Sequence, residues 1–298
     1  MEHRASSSSG PLVRGRPIAR SGRLADHYLH VALITEVFFD DPTGERLQRA
    51  LVDAQSRGAD LALLPEIPLN QWSPASKQPI DEDAEELGGW RQVLMAKAAK
   101  SVGIGLVGGA IIRDPDTGIR YNTALLYDGN GVCHARYRKI HLPEEEGYWE
   151  TSHYMPGTDP PRAISDTFSL TVGLQICSDV NRPQGFQILS SEGAEVAFVP
   201  RATPLETYER WQLILRANAI MSGMYVLSTN RPRPEGGTPI GGPSVAIDPF
   251  GHVMMETNDP IAVVRLKRSI VEQASRDYPG YLDRFPNVYA KGWLKLTE

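Results

Sequence analysis

The sequence predicts a mixed α/β fold, and three observations lead to that prediction. From Leu29 onward, short β-rich runs alternate with segments of helical pattern, turn sequences separate neighbouring strands, and no linker-like break occurs after residue 26. The chain has 298 residues, 41% of them hydrophobic and 22% charged, which is typical of an ordinary globular protein. We therefore predict a single α/β domain over residues 27–298, with a C-terminal extension that starts at about residue 268.

The first half of the chain is predicted to contain five strands and two helices. The strands are at residues 30–37, 61–64, 105–112, 122–127 and 132–138. Turn sequences separate the last three strands, which predicts two hairpins. The helices are at residues 44–57 and about 82–101, and the second has four apolar residues at helical spacing: Trp90, Val93, Leu94 and Ala98.

The second half repeats this alternation of strands and helices. A sixth strand at residues 170–176 precedes a helix at 183–191 that begins with proline, and a longer helix is predicted at 205–222. The remaining strands are predicted at residues 196–199, 224–229, 244–247, 253–256 and 262–266.

Charge and apolar content exclude several classes of protein. The 31 Lys and Arg against 36 Asp and Glu give a formal net charge of -5, so nothing draws the chain as a whole to nucleic acid or to an anionic membrane. No apolar run is long enough to span a bilayer. Residues 1–26 are rich in Ser and Arg and are predicted to be a disordered tail; Glu2 and Asp26 weaken the alternative of an organelle transit peptide, and a secretory apolar run is lacking. We expect a cytoplasmic protein.

Cofactor and metal motifs are absent from the sequence. The two cysteines are too few for a disulfide framework or a zinc ribbon, and the seven histidines show no metal-ligand spacing. The glycines at 103–108 match a dinucleotide-binding pattern, but a predicted helix precedes them and a strand follows, the reverse of the order that holds a pyrophosphate. Residues 242–246 lack the second glycine of a serine nucleophile elbow. We therefore expect no metal and no organic cofactor.

Three predicted strands end in residues that can do chemistry. The second, fifth and sixth strands end at Glu66, Lys139 and Cys177. Sites in α/β proteins form at the carboxyl ends of strands, and the helix that follows Cys177 is expected to lower the pKa of its thiol. A carboxylate, an ammonium and a thiol are the base, the oxyanion donor and the nucleophile of acyl transfer through a thioester. The other cysteine, Cys133 on a hairpin strand, fits a small buried hydrophobic residue.

The segments around these three residues resemble the signature segments of the nitrilase, or carbon-nitrogen hydrolase, superfamily, in the same order. They are Pro65-Glu66, Tyr137-Arg-Lys-Ile-His-Leu-Pro143 and Gly173-Leu-Gln-Ile-Cys-Ser-Asp179. The resemblance extends from Leu29 to about Leu266 and implies the fold of that family, a four-layer αββα sandwich.

The resemblance implies a role for each of the three residues. Cys177 would attack the carbonyl or nitrile carbon, and Glu66 would be the general base that takes the thiol proton. Lys139 would stabilise the oxyanion of the tetrahedral intermediate, together with the backbone N–H of Ser178. The implied chemistry is hydrolysis of a carbon-nitrogen bond through a thioester, with release of ammonia.

Further residues are predicted at the site from the same resemblance. Glu150 matches a second glutamate of the family that orients the site or assists proton transfer, and its rivals at 144–146 form a run of carboxylates that is typical of a solvated loop. For Trp72 and Trp149 the alternative role is the packing of a loop beside the site, and for Arg201 it is a buried ion pair. The residues predicted to line the substrate pocket are Trp72, Trp149, Arg201 and Thr203.

Departures from the family pattern narrow the substrate. Relatives that hydrolyse N-carbamoyl-D-amino acids have two arginines at the third and fourth positions after the cysteine, where this chain has Val180 and Asn181. True nitrilases usually have tryptophan directly after the cysteine, where Ser178 stands. We expect an enzyme that hydrolyses a small linear amide or N-carbamoyl compound; the alternatives are a nitrilase and a binding homologue without turnover.

The C-terminal residues indicate a protein partner. Aromatic residues are frequent after Leu266, and related enzymes often assemble as dimers or larger oligomers. We therefore expect a homodimer or a higher homo-oligomer whose only other partner is a small-molecule substrate. The aromatic residues are Tyr278, Tyr281, Phe285, Tyr289 and Trp293.

Overall fold

The computed structural model describes residues 27–296, and the tail predicted at residues 1–26 lies outside them. Its helices are α1 (Glu45–Ser56), α2 (Trp90–Val102), α3 (Gln184–Ser191), α4 (Tyr208–Ser222), α5 (Arg268–Arg276) and α6 (Pro286–Leu294). Its strands are β1 (Tyr28–Ile34), β2 (Leu61–Leu63), β3 (Ala84–Glu85), β4 (Gly105–Arg113), β5 (Arg120–Tyr127), β6 (Cys133–Arg138), β7 (Glu144–Glu145), β8 (Tyr148–Trp149), β9 (Val172–Leu174), β10 (Val196–Arg201), β11 (Tyr225–Asn230), β12 (Ser244–Ile247), β13 (Val253–Thr257) and β14 (Ile261–Lys267). Across these residues, no helix is long and apolar enough to cross a membrane.

The strands form two larger sheets and one small hairpin. The first sheet has the order β14-β1-β2-β4-β5-β6, with β3 paired to β4. The second has the order β13-β12-β11-β10-β9, and β7 pairs with β8 alone within the described chain. In the first sheet β4, β5 and β6 are consecutive antiparallel neighbours, so both predicted hairpins are confirmed.

Alternate residues of each strand face opposite sides of its sheet, and this alternation creates the layers. In β1, Val31 and Leu33 lie in the core between the two sheets, whereas Ala32 packs with α1 and α2. In β10, Phe198 lies in the same central core and Ala197 packs with α3 and α4. The order is therefore helices, sheet, sheet, helices, and the predicted four-layer αββα sandwich is confirmed.

The second helix differs from its prediction in its start, and its buried face is partly polar. It begins at Trp90, because the Glu85 carboxylate accepts the N–H groups of Arg91 (2.9 Å) and Gln92 (3.1 Å) and thereby caps the first turn. Trp90 and Val93, two of the apolar residues at helical spacing, are 46% and 40% exposed. The helix instead buries polar residues that have partners, since the Arg91 guanidinium lies 3.5 Å from Glu85.

Two other sequence interpretations are tested by the backbone. Gly103 ends α2 with a φ of 75°, and β4 starts at Gly105, so the predicted order of helix, glycine and strand is confirmed. The strand predicted at 170–176 is regular only over β9, which is an edge strand and pairs only with β10 within its sheet.

Candidate active site

The four predicted catalytic side chains come from both sheets and are buried together between them. Glu66 follows β2 and Lys139 follows β6 of the first sheet, whereas Cys177 follows β9 of the second. Glu150 begins a short 3-10 helix directly after β8. Their exposed fractions are 1% for Glu66, 1% for Lys139, 4% for Cys177 and 0% for Glu150. Charged groups are almost never buried this deeply unless they are paired.

Lys139 lies between the two glutamates and pairs with both. Its Nζ is 2.7 Å from Glu66 Oε1 and 2.6 and 2.8 Å from the two oxygens of Glu150. Burial alone would lower the pKa of Lys139, but the charges of Glu150, Glu66 and Cys177 raise it well above its usual value. The rival glutamates at 144–146 are all exposed, so the structure brings Glu150 and not these residues to the site.

Burial makes Glu150 the group of this cluster that holds a proton. Two carboxylates share one ammonium, and burial raises the pKa of Glu150 to about 8 even though Lys139 opposes the shift. At neutral pH one carboxyl of the cluster is therefore largely protonated. This arrangement balances the positive charge of Lys139 with a single carboxylate.

Glu66 is oriented so that one of its oxygens is available. Asn122 Nδ2 donates to Glu66 Oε1 at 2.7 Å, and Lys139 binds the same oxygen. Glu66 Oε2 is buried and has no hydrogen-bond partner among residues 27–296. A buried carboxylate oxygen without a donor is a suitable acceptor for a proton from a thiol or from water.

Cys177 sits on a strained turn at the end of its strand. Its φ is +42°, in the left-handed region that side chains rarely adopt, and such strain costs on the order of 1–3 kcal/mol. Burial and Glu66 raise the pKa of the thiol well above its usual value, and Lys139 only partly opposes them. The expectation that the predicted helix at 183–191 lowers this pKa is therefore wrong, because burial and Glu66 outweigh it and α3 begins only at Gln184. The resting thiol is protonated and needs a base.

Ser178 is the second residue of that short helix, Cys177–Asn181. The first N–H groups of a helix have no acceptor inside the helix, so the Ser178 N–H is available to a substrate oxygen. The Ser178 hydroxyl donates to the backbone carbonyl of His141, which holds the turn against the segment that follows Lys139.

Asp179 is a positioning residue that the sequence analysis missed. Its buried carboxylate accepts the Tyr137 hydroxyl at 2.9 Å and the backbone N–H groups of Ile140 (3.2 Å) and His141 (2.9 Å) from the first sheet. It also accepts the N–H of Ile176, directly before the nucleophile, at 3.2 Å. One side chain thus fixes the lysine segment relative to the cysteine turn. The motif that contains Asp179 was visible, but its partners lie about 40 positions away in sequence.

Arg231 is a second positioning residue that the sequence did not reveal. Its guanidinium is fully buried and donates to the backbone carbonyls of Glu66 (2.8 Å), Ile67 (3.0 Å) and Asn70 (2.9 Å). Glu235 balances its charge at 2.6 Å. These hydrogen bonds explain how Ile67 is held at a φ of +39°, which is a rare conformation for a β-branched residue.

The two predicted pocket tryptophans lie beside this cluster. Trp72 is buried, donates its indole N–H to the carbonyl of Gly147 at 2.8 Å, and contacts the Tyr148 ring edge-on at 5.9 Å. Trp149 directly precedes Glu150, and the Lys77 ammonium lies 4.0 Å from its ring centroid. Both rings therefore have packing partners, and their contact with substrate stays a prediction.

Arg201 and Thr203 are fully buried next to each other. Arg201 Nε donates to Ser228 Oγ at 3.0 Å, and its other two nitrogens donate to Thr203 Oγ1 and to the carbonyl of Pro243. None of its partners within the described residues is a carboxylate, so the alternative of a buried ion pair is wrong. Burial lowers the pKa of Arg201 to about 10. Its role in substrate binding stays a prediction.

The pKa of Glu150 makes stability depend on pH in a defined direction. Because the folded-state pKa of about 8 exceeds the ordinary value of 4.5, protonated Glu150 stabilises the fold fully below pH 4.5, and this contribution is lost as the pH rises to 8. We expect the unfolding free energy of the wild type to fall relative to Glu150→Gln between pH 5 and 8, with a slope approaching about 1.4 kcal/mol per pH unit. Urea unfolding of both proteins measures this difference. A difference that does not change with pH would contradict the assignment.

No cluster of three or more His, Cys, Asp or Glu that could hold a metal ion occurs in the described part of the chain.

Comparisons with known proteins identify the family. The carbon-nitrogen hydrolase family matches residues 32–273. The chain is 34% identical over 182 residues to a deaminated glutathione amidase from Synechocystis, covering 57% of this chain and 65% of that protein, which is just under two thirds of its length. It is 30% identical over 257 residues to a chloroplastic omega-amidase from Arabidopsis thaliana (81% of this chain, 68% of that protein).

Solved structures agree with this match. A carbon-nitrogen hydrolase from Helicobacter pylori superposes with a TM-score of 0.78 at 21% identity, covering 89% of this chain and 98% of that one. An amidase from Nesterenkonia superposes with a TM-score of 0.70 at 25% identity, covering 96% and 100%. From the family match, and from the fold that it shares with these structures, we conclude that the chain belongs to the carbon-nitrogen hydrolase family.

Proposed function

We propose that the protein is an amidase that hydrolyses the carbon-nitrogen bond of a small linear amide or N-carbamoyl compound and releases ammonia. The observation that carries the proposal is the buried cluster in which Lys139 binds Glu66 and Glu150 beside the thiol of Cys177. A base, a cation and a nucleophile that are charge-matched and shielded from water suit acyl transfer. The amidases among the relatives support the same reaction.

The first half of the proposed reaction forms a thioester. Glu66 Oε2 takes the thiol proton as the Cys177 sulfur attacks the substrate carbonyl carbon. The carbonyl oxygen becomes an oxyanion, which Lys139 and the Ser178 N–H stabilise by hydrogen bonds. When the carbon-nitrogen bond breaks, Glu66 gives the proton to the leaving nitrogen, ammonia departs, and the acyl group stays on the sulfur.

The second half releases the acid. Glu66 takes a proton from water, whose oxygen attacks the thioester carbon, and the same two donors stabilise the second oxyanion. When the carbon-sulfur bond breaks, the proton returns to the thiolate. One amide and one water thus become one acid and one ammonia, with Cys177 and Glu66 restored. Neutral Glu150 keeps Lys139 in place throughout.

A nitrilase is the competing enzyme function. It would use the same nucleophile but would consume two water molecules to convert a nitrile to an acid and ammonia, where an amide consumes one. The presence of Ser178, where nitrilases usually have tryptophan, and the amidase names of the relatives both favour the amide.

The test offers amides, N-carbamoyl compounds and nitriles side by side and measures ammonia from each. The expected result is ammonia from an amide or carbamoyl compound and none from nitriles, with mass spectrometry of the quenched enzyme showing an acyl group on Cys177. Turnover of nitriles alone would establish the competing function. A protein that releases no ammonia and whose Cys177 resists iodoacetamide at neutral pH would be a binding homologue.

We also propose that the protein is a homo-oligomer held in part by α6. None of the residues of this helix, all of which the structure describes, is buried, and Tyr289 and Trp293 are 68% and 59% exposed. A helix with exposed aromatic residues is typical of a subunit contact. We expect Tyr289→Asp with Trp293→Asp to lower the mass measured by light scattering after size-exclusion chromatography, whereas Lys291→Ala should leave it unchanged. An unchanged mass in the double variant would refute the contact.

We further propose a cytoplasmic location. Cys133 and Cys177 are both free thiols, and the proposed reaction requires Cys177 in its reduced form. A reducing compartment preserves such a thiol. Fractionation of the native cell with an antibody to the protein tests the location, and recovery of the chain from an organelle would contradict it.

A further inference from the structure

Tyr148 carries a hydroxyl that nothing in the described chain satisfies. The hydroxyl oxygen is buried and has no hydrogen-bond partner among residues 27–296. Buried tyrosine hydroxyls are normally paired, and those of Tyr137, Tyr208 and Tyr225 find a partner here. An unpaired buried hydroxyl lowers the stability of the fold, so its presence needs an explanation.

The backbone and the ring of Tyr148 are both held in place. The carbonyl of the preceding residue, Gly147, accepts the indole N–H of Trp72 and the hydroxyl of Thr238. Gly147 has a φ of +79°, and a Cβ there would lie 2.9 Å from the Thr238 side chain. The Trp72 ring then packs edge-on against Tyr148 at 5.9 Å. The hydroxyl is therefore in a fixed position and cannot turn away to find a partner.

Tyr148 packs against residues that adjoin the base and the nucleophile. These are Ile67, directly after Glu66, and Ala202, whose carbonyl oxygen lies 4.0 Å from the Cys177 sulfur. After burial, the charges of Cys177 and Glu66 contribute most to raising the pKa of Tyr148. The hydroxyl forms no hydrogen bond with either group in the described structure. Tyr154 also has an unpaired hydroxyl, but the charges that act on it most strongly are those of Glu150 and Glu66. Of the two, Tyr148 is the one whose pKa the charge of Cys177 raises most after burial.

Two unpaired polar atoms therefore belong to the residues around the buried thiol. Glu66 Oε2 can only accept a hydrogen bond, whereas the Tyr148 hydroxyl can donate one. A carboxamide presents the complementary pair, since its nitrogen donates and its oxygen accepts. We propose that the Tyr148 hydroxyl is a substrate contact, which donates a hydrogen bond to the reacting carboxamide once the substrate is bound.

This inference rests on the amidase function proposed above, and Tyr148→Phe tests it by removing only the hydroxyl. We expect kcat/KM for the best amide to fall about 10- to 100-fold, because a donor to the reacting group is lost. The Tm should stay the same or rise, because the hydroxyl has no partner in the free protein. The rate of Cys177 alkylation by iodoacetamide should be unchanged, because Tyr148 acts on the substrate and not on the thiol.

Tyr225→Phe is the matched control. Its hydroxyl accepts from the Lys267 N–H and donates to the Lys267 carbonyl, each at 3.1 Å, far from the catalytic cluster at the start of β11. We expect this variant to show the opposite pattern, with a lower Tm and an unchanged kcat/KM.

The outcomes separate this inference from the proposed function. If the wild type releases no ammonia from amides, the function itself fails. If the wild type is active and Tyr148→Phe keeps kcat/KM within twofold, only the substrate contact is refuted. A loss of activity that comes with a drop in Tm like that of Tyr225→Phe would likewise refute it, because the hydroxyl would then be structural.

Discussion

The variant Cys177→Ala is expected to release no ammonia from any amide while remaining folded. The only sulfur that the site places beside Glu66 and Lys139 is then gone, and neither the lysine nor the carboxyls can form the acyl intermediate in its place. The variant keeps a Cβ on the turn, so the strain at a φ of +42° persists and the Tm should change little. Ammonia assays and thermal unfolding measure the two effects separately.

Cys133→Ala is the matched control, because it removes the same atoms at the other cysteine. Cys133 begins β6 and its thiol only donates a weak hydrogen bond to the carbonyl of Ala135, at 3.4 Å. We expect full activity and at most a small loss of stability. Turnover that persists in Cys177→Ala, or a comparable loss in Cys133→Ala, would mean that the nucleophile has been assigned to the wrong residue.

The variant Lys139→Met is expected to lose both activity and stability. Without the ammonium, Glu66 and Glu150 face each other in a buried site, and breaking a buried ion pair from one side costs about 3–5 kcal/mol. The oxyanion also loses a charged donor, and the loss of one such donor typically lowers kcat by about 100- to 1000-fold. Urea unfolding and kcat/KM measure the two losses.

A second substitution separates the structural from the catalytic effect of Lys139. Adding Glu150→Gln leaves a single titratable carboxyl in the buried site, so at alkaline pH, where Glu150 would otherwise ionise beside Glu66, the double variant should recover stability relative to Lys139→Met. It should not recover activity, because the oxyanion donor is still missing. If turnover returns with stability, Lys139 acts only by holding the fold together.

The buried cluster of Glu66, Lys139 and Cys177 could be predicted because its signal is local. Glu66, Lys139 and Cys177 each follow an apolar strand, and each is embedded in a short segment with a recognisable order of residues. The alternation of strands and helices could be predicted equally well. Apolar residues repeat every 2 positions in a strand and every 3.6 positions in a helix, and both patterns involve only neighbouring residues. For the same reason both hairpins, with their turn sequences, were predicted correctly.

The supporting residues could not be predicted because their partners are distant. Arg231 binds backbone carbonyls 161 to 165 positions earlier in the chain, and Asp179 binds groups 38 to 42 positions earlier. The sequence did not reveal which face of α2 is buried, and the reason is related. Arginine is usually exposed, and the burial of Arg91 is explained only by its ion pair with Glu85, which the sequence does not show. The resting thiol pKa likewise depends on burial, which the sequence does not state.

Because the site is divided between two sheets, its activity depends on the assembly of both sheets. Glu66 and Lys139 belong to the first sheet and Cys177 to the second, and the Arg231 guanidinium that holds the Glu66 turn follows β11 of the second sheet. Neither half of the chain holds a working set of groups on its own, however well its local structure forms. Turnover therefore begins only when the two halves have docked, and during folding it would appear as a late, all-or-none event rather than gradually with secondary structure.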